Sequence, residues 1–138
     1  MIIEEGTYVK KAEQVMKDLQ NVEIVYKNYK KTLNVVKEIT TSKIRNLMAM
    51  AADIYNEVLI SDEQLADDLS SRIDYLRVRF VYEVGRDNSK DKAVKIFVER
   101  TEILEALKEV RKSRKQYILF YHYMEALVAY HRYYGGRD

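Results

Sequence analysis

Apolar residues recur at intervals of three and four along nearly the whole chain, which is the spacing of one helix face. Tyr8, Ala12, Val15, Met16 and Leu19 set the first such face and predict a helix over residues 7–20. The spacing runs on through Val22, Tyr26, Tyr29 and Leu33. Asn21, Asn28 and Asn34, with the β-branched Val22, Val25, Thr32, Val35 and Val36, weaken a helix there. Residues 21–39 therefore read either as the helix continued or as an irregular arm.

Ile39-Thr40-Thr41-Ser42 is the clearest start signal. A Thr40 cap leaves Ile39 and Ile44 at the two positions of a hydrophobic staple. The helix that follows buries Ile44, Leu47, Met48, Ala51, Ile54, Tyr55, Val58 and Leu59, and stops near Ser61-Asp62. The next runs from Glu63 to Val84 on a seam of Leu65, Leu69, Ile73, Leu76, Phe80 and Val84, with Gly85 as its left-handed stop. Asp87-Asn88-Ser89 caps a shorter helix through Val94, Phe97 and Val98. Ile103, Leu104, Leu107 and Val110 either continue it or form a separate piece. Ser113 opens the last helix, residues 114–134, ended by Gly135-Gly136. Both faces of that helix are apolar, so it belongs at the centre of a bundle. The expected fold is all-α, a compact bundle of about five to six helices in one domain. Residues 40–138 form its core, and residues 1–39 form a helix and a connecting arm.

Composition narrows this picture. The 138 residues include no Pro, no Cys, no Trp and only four Gly. A sandwich or barrel needs turn residues at every strand end, so those folds are excluded. Without Cys there is no disulfide, thiolate zinc site or thiol nucleophile. Met1-Ile2-Ile3-Glu4-Glu5 lacks the basic start and apolar run of a signal peptide. The most apolar segment, Tyr117–Tyr134, carries Glu125, Arg132 and both His, too many polar groups to span a membrane. A soluble cytoplasmic protein is expected.

Candidate chemistry is sparse. His122 and Glu125 sit three apart on one helix face. The di-iron signal is Glu-x-x-His on two helices, whereas here the order is reversed and occurs once. A hydrogen-bonded surface pair is the plainer reading. No Gly-rich phosphate loop, Gly-x-Ser-x-Gly elbow or His-Glu-x-x-His is present. An enzyme is not expected.

Charge is more informative. Lys plus Arg is 24 and Asp plus Glu is 22, a net of +2. That sum conceals segregation: nine bases and six acids over residues 1–46, six acids and no base over 47–70, and fifteen bases and ten acids over 71–138. Such a chain can present one face to a polyanion and another to a basic partner. Arg72, Arg79 and Arg86 are spaced by sevens with Tyr75 and Tyr82 between them. At ~100° per residue these five cover about 80° of one helix flank, and Arg77 falls on the other. Guanidinium groups beside aromatic rings hold phosphates and stack on bases. The plainer alternative pairs each Arg with a nearby acid. Arg111-Lys112-Ser113-Arg114-Lys115 is the densest basic run, at a helix junction. Lys43 and Arg45 sit in the first turn of their helix, where cations oppose the dipole and hint at an external anion. Half of the twelve Tyr lie beyond residue 116, most suited to packing with the hydroxyl at a rim.

Three stretches together carry a resemblance: Thr40–Leu47, Tyr75–Asp87, and Phe120–Gly136 with Tyr123-Met124-Glu125-Ala126-Leu127-Val128-Ala129-Tyr130 at its heart. Their order and spacing resemble the small-subunit family of the type III-A CRISPR effector (Csm) complex. The resemblance covers residues 40–138. It implies a helical bundle with no catalysis of its own and no cofactor, serving antiviral and anti-plasmid defence. Copies line up beside the backbone subunits and help hold guide RNA and target RNA. Target cleavage belongs to the backbone subunits, and DNA cleavage and signalling-nucleotide synthesis to the large subunit. Within the matched motifs the basic positions are Lys43, Arg45, Arg77, Arg79 and Arg86; Arg111, Arg114 and Lys115 join them from the charge run. The competing expectation is a helical protein–protein adaptor without RNA contact.

Overall fold

The computed structural model describes residues 1–137. Helix α1 (Tyr8–Leu19) buries Ala12, Met16 and Leu19. The chain then turns into two antiparallel strands, β1 (Val22–Val25) and β2 (Lys30–Leu33), and a single helical turn, α2 (Val35–Glu38). Residues 21–39 are thus neither continued helix nor irregular arm. The β-branched residues that weaken a helix fit a pleated ribbon, and their burial alternates. Val22 and Leu33 are buried at its base, Ile24 and Lys31 half-buried above them, and Glu23, Val25, Lys30 and Thr32 exposed on the other face.

Helix α3 (Thr41–Leu59) begins as expected. The Thr40 hydroxyl accepts the Lys43 N–H at 3.1 Å, and Ile39 and Ile44 are both buried beside it. Helix α4 spans Asp67–Gly85, four residues shorter at its start than expected. The segment before it is tied in extended form to the start of the last helix. Leu65 N–H donates to the Lys112 carbonyl (2.8 Å), and Arg114 N–H to the Glu63 carbonyl (3.0 Å). Asp67 and Asp68 then occupy the first turn, where carboxylates favour the helix dipole. Gly85 is not a left-handed stop. It remains helical, and Arg86 closes the helix in right-handed geometry. The left-handed glycine is Gly135, with φ 101°.

Asp87 reaches across the next loop and accepts the Val94 N–H (3.1 Å), capping α5 (Ala93–Thr101) from a distance. Helix α6 (Ile103–Val110) is a separate piece, divided from α5 by Glu102 in left-handed geometry at φ 59°. Lys11 Nζ holds the Glu102 carboxylate at 2.7 Å.

Ser113 caps α7 (Arg114–Tyr133) by accepting the Gln116 N–H at 3.1 Å. Helices α3, α1 and α6 pack around α7, which buries Tyr117, Leu119, Phe120, Tyr121, Tyr123, Met124 and Leu127. A buried hydroxyl must find a partner. Tyr117 donates to the Ala51 carbonyl (2.8 Å) and Tyr123 to that of Thr101 (2.9 Å), a carbonyl freed by the α5–α6 break. Burial raises both phenol pKa values.

The far end of α7 is closed by His131, which is fully buried. Its Nε2 lies 2.9 Å and 2.8 Å from the carbonyls of Val36 and Ile39, so Nε2 carries the proton and donates. Nδ1 then accepts from the Thr41 hydroxyl at 3.2 Å. Gly136 crosses directly over the ring: a Cβ there would stand 2.1 Å from Cε1. Burial holds the His131 pKa below its ordinary 6.5, outweighing the two carbonyl bonds. The folded state therefore binds this proton less readily than the unfolded chain. Its contribution to stability is complete above pH 6.5 and is lost as pH falls through the folded value. The thermal midpoint, followed by circular dichroism, is expected to drop on acidification below pH 6.5. His131→Gln should be less stable at neutral pH but show a flatter acid limb. An equally steep limb in that variant would exclude His131 as its source.

Candidate nucleic-acid interface

Helices α3 and α4 lie antiparallel, pinned at both ends by ion pairs. Arg72 Nη1 meets Glu57 Oε2 at 2.5 Å near one end, and Lys43 Nζ meets Glu83 Oε2 at 3.5 Å near the other. Between them runs a groove of about 430 Å³ lined by Asn46, Ala49, Met50 and Asp53 of α3 and Arg72, Tyr75 and Arg79 of α4. The short side chains of Asn46, Ala49 and Asp53 keep α3 from filling it, with Met50 as its one large apolar wall on that side. Asn46 and Asp53 fall outside the sequence-based set, although their helical spacing with Ala49 and Met50 carries the signal.

Arg79 and Arg45 are exposed and make no ion pair among the described residues. Arg86 is exposed with Nη1 3.3 Å from Glu83 Oε1. Glu83, itself buried, therefore bridges Lys43 and Arg86. The cation in the first turn of α3 has an internal partner, so its conflict with the dipole does not require an external anion. Helix α4 also exposes Tyr75 (60%), Val78 (56%), Val81 (55%) and Tyr82 (63%) along its outer side.

The other predicted positions fall elsewhere. Arg77 sits on the opposite flank, 3.7 Å from Asp74 and beside a shallow groove against Leu104, Glu105 and Lys108 of α6. Arg111, Arg114 and Lys115 lie at the far end of α3 and α4, by a groove of about 680 Å³ that includes Glu63, Gln64 and Ile118. There Arg114 is spent on the fold. Its Nε and Nη2 donate to the carbonyls of Val58 (3.1 Å) and Leu59 (2.8 Å), closing the negative end of α3. Lys112 pairs with Asp67 at 2.5 Å, and Lys115 lies 3.7 Å from Glu5 with both side chains exposed. Arg111 has φ 53° and ψ −120°, a strained geometry for a residue with a Cβ. The eight positions therefore form three groups: Lys43, Arg45, Arg79 and Arg86 along α3 and α4, Arg77 towards α6, and Arg111, Arg114 and Lys115 at the opposite end.

The family description "Csm2 Type III-A" matches residues 13–137. The chain belongs to the Csm2 family. It is 46% identical over 100 residues to the CRISPR system Cms protein Csm2 of Streptococcus thermophilus, covering 72% of this chain and 76% of that protein. It is 40% identical over 102 residues to the Csm2 protein of Mycobacterium tuberculosis (73% and 79% covered), and 37% identical over 103 residues to that of Enterococcus italicus (72% and 71%). Csm2 membership makes this chain a small subunit of the type III-A Csm complex. Thus the Arg-lined groove of α3 and α4 belongs to a subunit of a larger assembly. The family match also includes the hairpin.

Two outcomes separate structural from surface cations in this Csm2 chain. Arg114→Ala should cost about 1–2 kcal/mol in chemical denaturation, because two helix-end carbonyls lose a charged donor. Lys115→Ala should stay within about 0.5 kcal/mol. Equal losses would refute the capping role. Arg111→Gly should raise the unfolding midpoint, with a gain of about 1 kcal/mol from strain released. No gain would mean that this geometry costs the fold nothing.

Proposed function

We propose that this chain is a non-catalytic subunit that lines the guide–target RNA path of its type III-A effector and grips RNA by its backbone. The observation that supports this most is the groove in which Arg72, Tyr75 and Arg79 stand on one flank of α4, with Arg45 and Arg86 near it. Cations fixed on two rigid helices read the spacing of phosphates, not base identity. A guide–target duplex changes sequence with every guide, so its holder must read A-form shape and charge and leave sequence to base pairing. Arg suits this because its planar fork grips phosphate oxygens in pairs. One copy binds weakly and with strong salt dependence, since each phosphate contact releases counterion. Neighbouring copies along the assembly supply avidity. Cleavage of RNA and DNA is the work of other subunits, and the site of action is the cytoplasm.

A second reading has its own support. The row of Tyr75, Val78, Val81 and Tyr82 suits a protein partner, because aromatic residues and Arg are enriched at protein contacts. A protein-only adaptor would use this row and leave RNA untouched.

Arg79→Glu and Arg86→Ala separate the two. In the assembled complex each is expected to weaken RNA retention and lower the magnitude of the salt slope by about one phosphate contact, with helicity unchanged. Unaltered RNA retention and crosslinking, together with lost subunit assembly, would establish the adaptor instead.

A further inference from the structure

The hairpin between α1 and α2 does more than connect them. Its body-facing residues run from buried Val22 and Leu33, through Ile24 and Lys31, to Tyr26 and Tyr29 at the tip. The two tip rings stack at 4.9 Å, and the Tyr26 N–H donates to the Tyr29 carbonyl at 2.7 Å, closing a tight turn through Lys27 and Asn28. This tip is clasped to the loop between α4 and α5. Asp91 accepts the Tyr26 hydroxyl on one oxygen and Lys31 Nζ, at 2.6 Å, on the other. The Tyr26 phenol pKa is pushed up to about 12 by its bond to Asp91, so the hydroxyl stays a donor throughout the physiological range. Lys90 Nζ stands 5.7 Å and 5.9 Å from the centres of the Tyr29 and Tyr26 rings. A ribbon of two short strands is marginal on its own. The Asp91 clasp gives this one a fixed position against the body.

The clasp spends Lys31 and leaves Lys27 and Lys30 outward, while Lys90, though exposed, leans on the two rings. Lys27, Lys30 and Lys90 are exposed, Tyr29 is 46% exposed and Val25 is 64% exposed. Across Val22–Leu33 three lysines oppose one acid, Glu23, which lies a loose 3.9 Å from Lys30. Between the tip and the Lys43 end of α3 lies a cleft of about 160 Å³ lined by Glu38, Thr40 and Lys43 on one side and Asp87, Ser89 and Val94 on the other. Arg86 precedes that loop segment and Lys90 follows it.

We propose that the hairpin tip, with Tyr29, Lys27, Lys30 and Lys90, is a second RNA contact, one that holds single-stranded RNA rather than duplex. It rests on the RNA-holding reading of the α3–α4 groove and adds a separate contact at the end of the bundle. Single strands expose base faces that stack on an aromatic ring, while lysines follow the phosphates without sequence preference. In an A-form duplex the bases are already stacked, and the ring has nothing to receive. Charge favours RNA over an acidic protein less decisively than this half-open ring does. A stacking platform among cations suits alternating bases and phosphates.

The test uses the full chain with a fluorescent single-stranded oligouridine and an RNA duplex of equal length, titrated by anisotropy at several salt concentrations. Tyr29→Ala should weaken single-strand binding about tenfold and leave duplex binding unchanged. Because Tyr29 packs on Tyr26, the double variant Lys27→Glu/Lys30→Glu, at two exposed positions, provides a readout independent of folding. It should reduce single-strand affinity and flatten its salt slope. Arg79→Glu serves as the reference for the groove. Loss of duplex binding in that variant, with single-strand binding intact in both hairpin variants, would overturn the hairpin proposal and leave the groove reading standing. Loss in the hairpin variants alone would uphold the hairpin and remove the groove. Intact RNA binding with lost attachment to the other effector subunits would assign the tip to a protein partner and overturn the proposal.

Discussion

A helix clothed in apolar side chains on nearly every side cannot stand at a surface, and α7 imposes that constraint on the whole chain. Tyr117, Phe120, Tyr123, Met124 and Leu127 leave water together only if helices close around them from several directions. Helices α1, α3 and α6 supply that cover. The order of elements follows from the polar atoms that α7 carries inward. The Tyr117 and Tyr123 hydroxyls need carbonyls, and they find one in the middle of α3 and one at the end of α5. His131 needs both an acceptor pair and a donor, so α2 and the start of α3 must meet at the same point. These bonds add little net energy each, but leaving any of them unmade inside the core costs about 1–3 kcal/mol. They select one arrangement among the several that apolar burial alone permits.

The charged residues divide along the same logic. Those near a helix end or a buried carboxylate are drawn into the fold: Arg114 onto the end of α3, Lys43 onto Glu83, Lys11 onto Glu102. On the outer flank of α4, Arg72 and Arg86 are paired with Glu57 and Glu83, and Arg79 between them makes no ion pair among the described residues. Rigid placement of the free group is a by-product of the bound one. Arg72 and Lys43 fasten the two ends of the α3–α4 pair, and Arg79 is held between them with its guanidinium unpaired among the described residues.

How far a sequence discloses this depends on the range over which each signal acts. The Thr40 cap with its Ile39–Ile44 staple, the Ser113 cap and the centrality of α7 are written within a few residues and read directly. The hairpin is not. Val22, Tyr26, Tyr29 and Leu33 satisfy helical spacing as well as Val22, Ile24 and Tyr26 satisfy alternation. Lys31 breaks the inward pattern because its partner, Asp91, lies 60 residues away. The start of α4 and the role of Arg114 fail for the same reason. Leu65 is claimed by Lys112, and the carbonyls that Arg114 closes are 56 and 55 residues back. Within the α3–α4 groove, the flank of Arg and Tyr was legible from spacing alone. The division of eight cations into three separate places was not, because it depends on how the helices turn against one another.

The position of α7 has a consequence for how the molecule comes into being. The helix at the centre of the packing comes after every other described helix in the chain. Until it leaves the ribosome, α1 and α3 have only part of their cover, from α5 and α4 respectively, and lack α7 itself. Contacts of such long sequence separation form slowly, and the waiting surfaces are open to other chains. A nascent copy shares the cell with other copies at the same stage. The core therefore closes only once α7 is present, and a chain stopped before it leaves the inner faces of α1, α3 and α6 partly open to solvent.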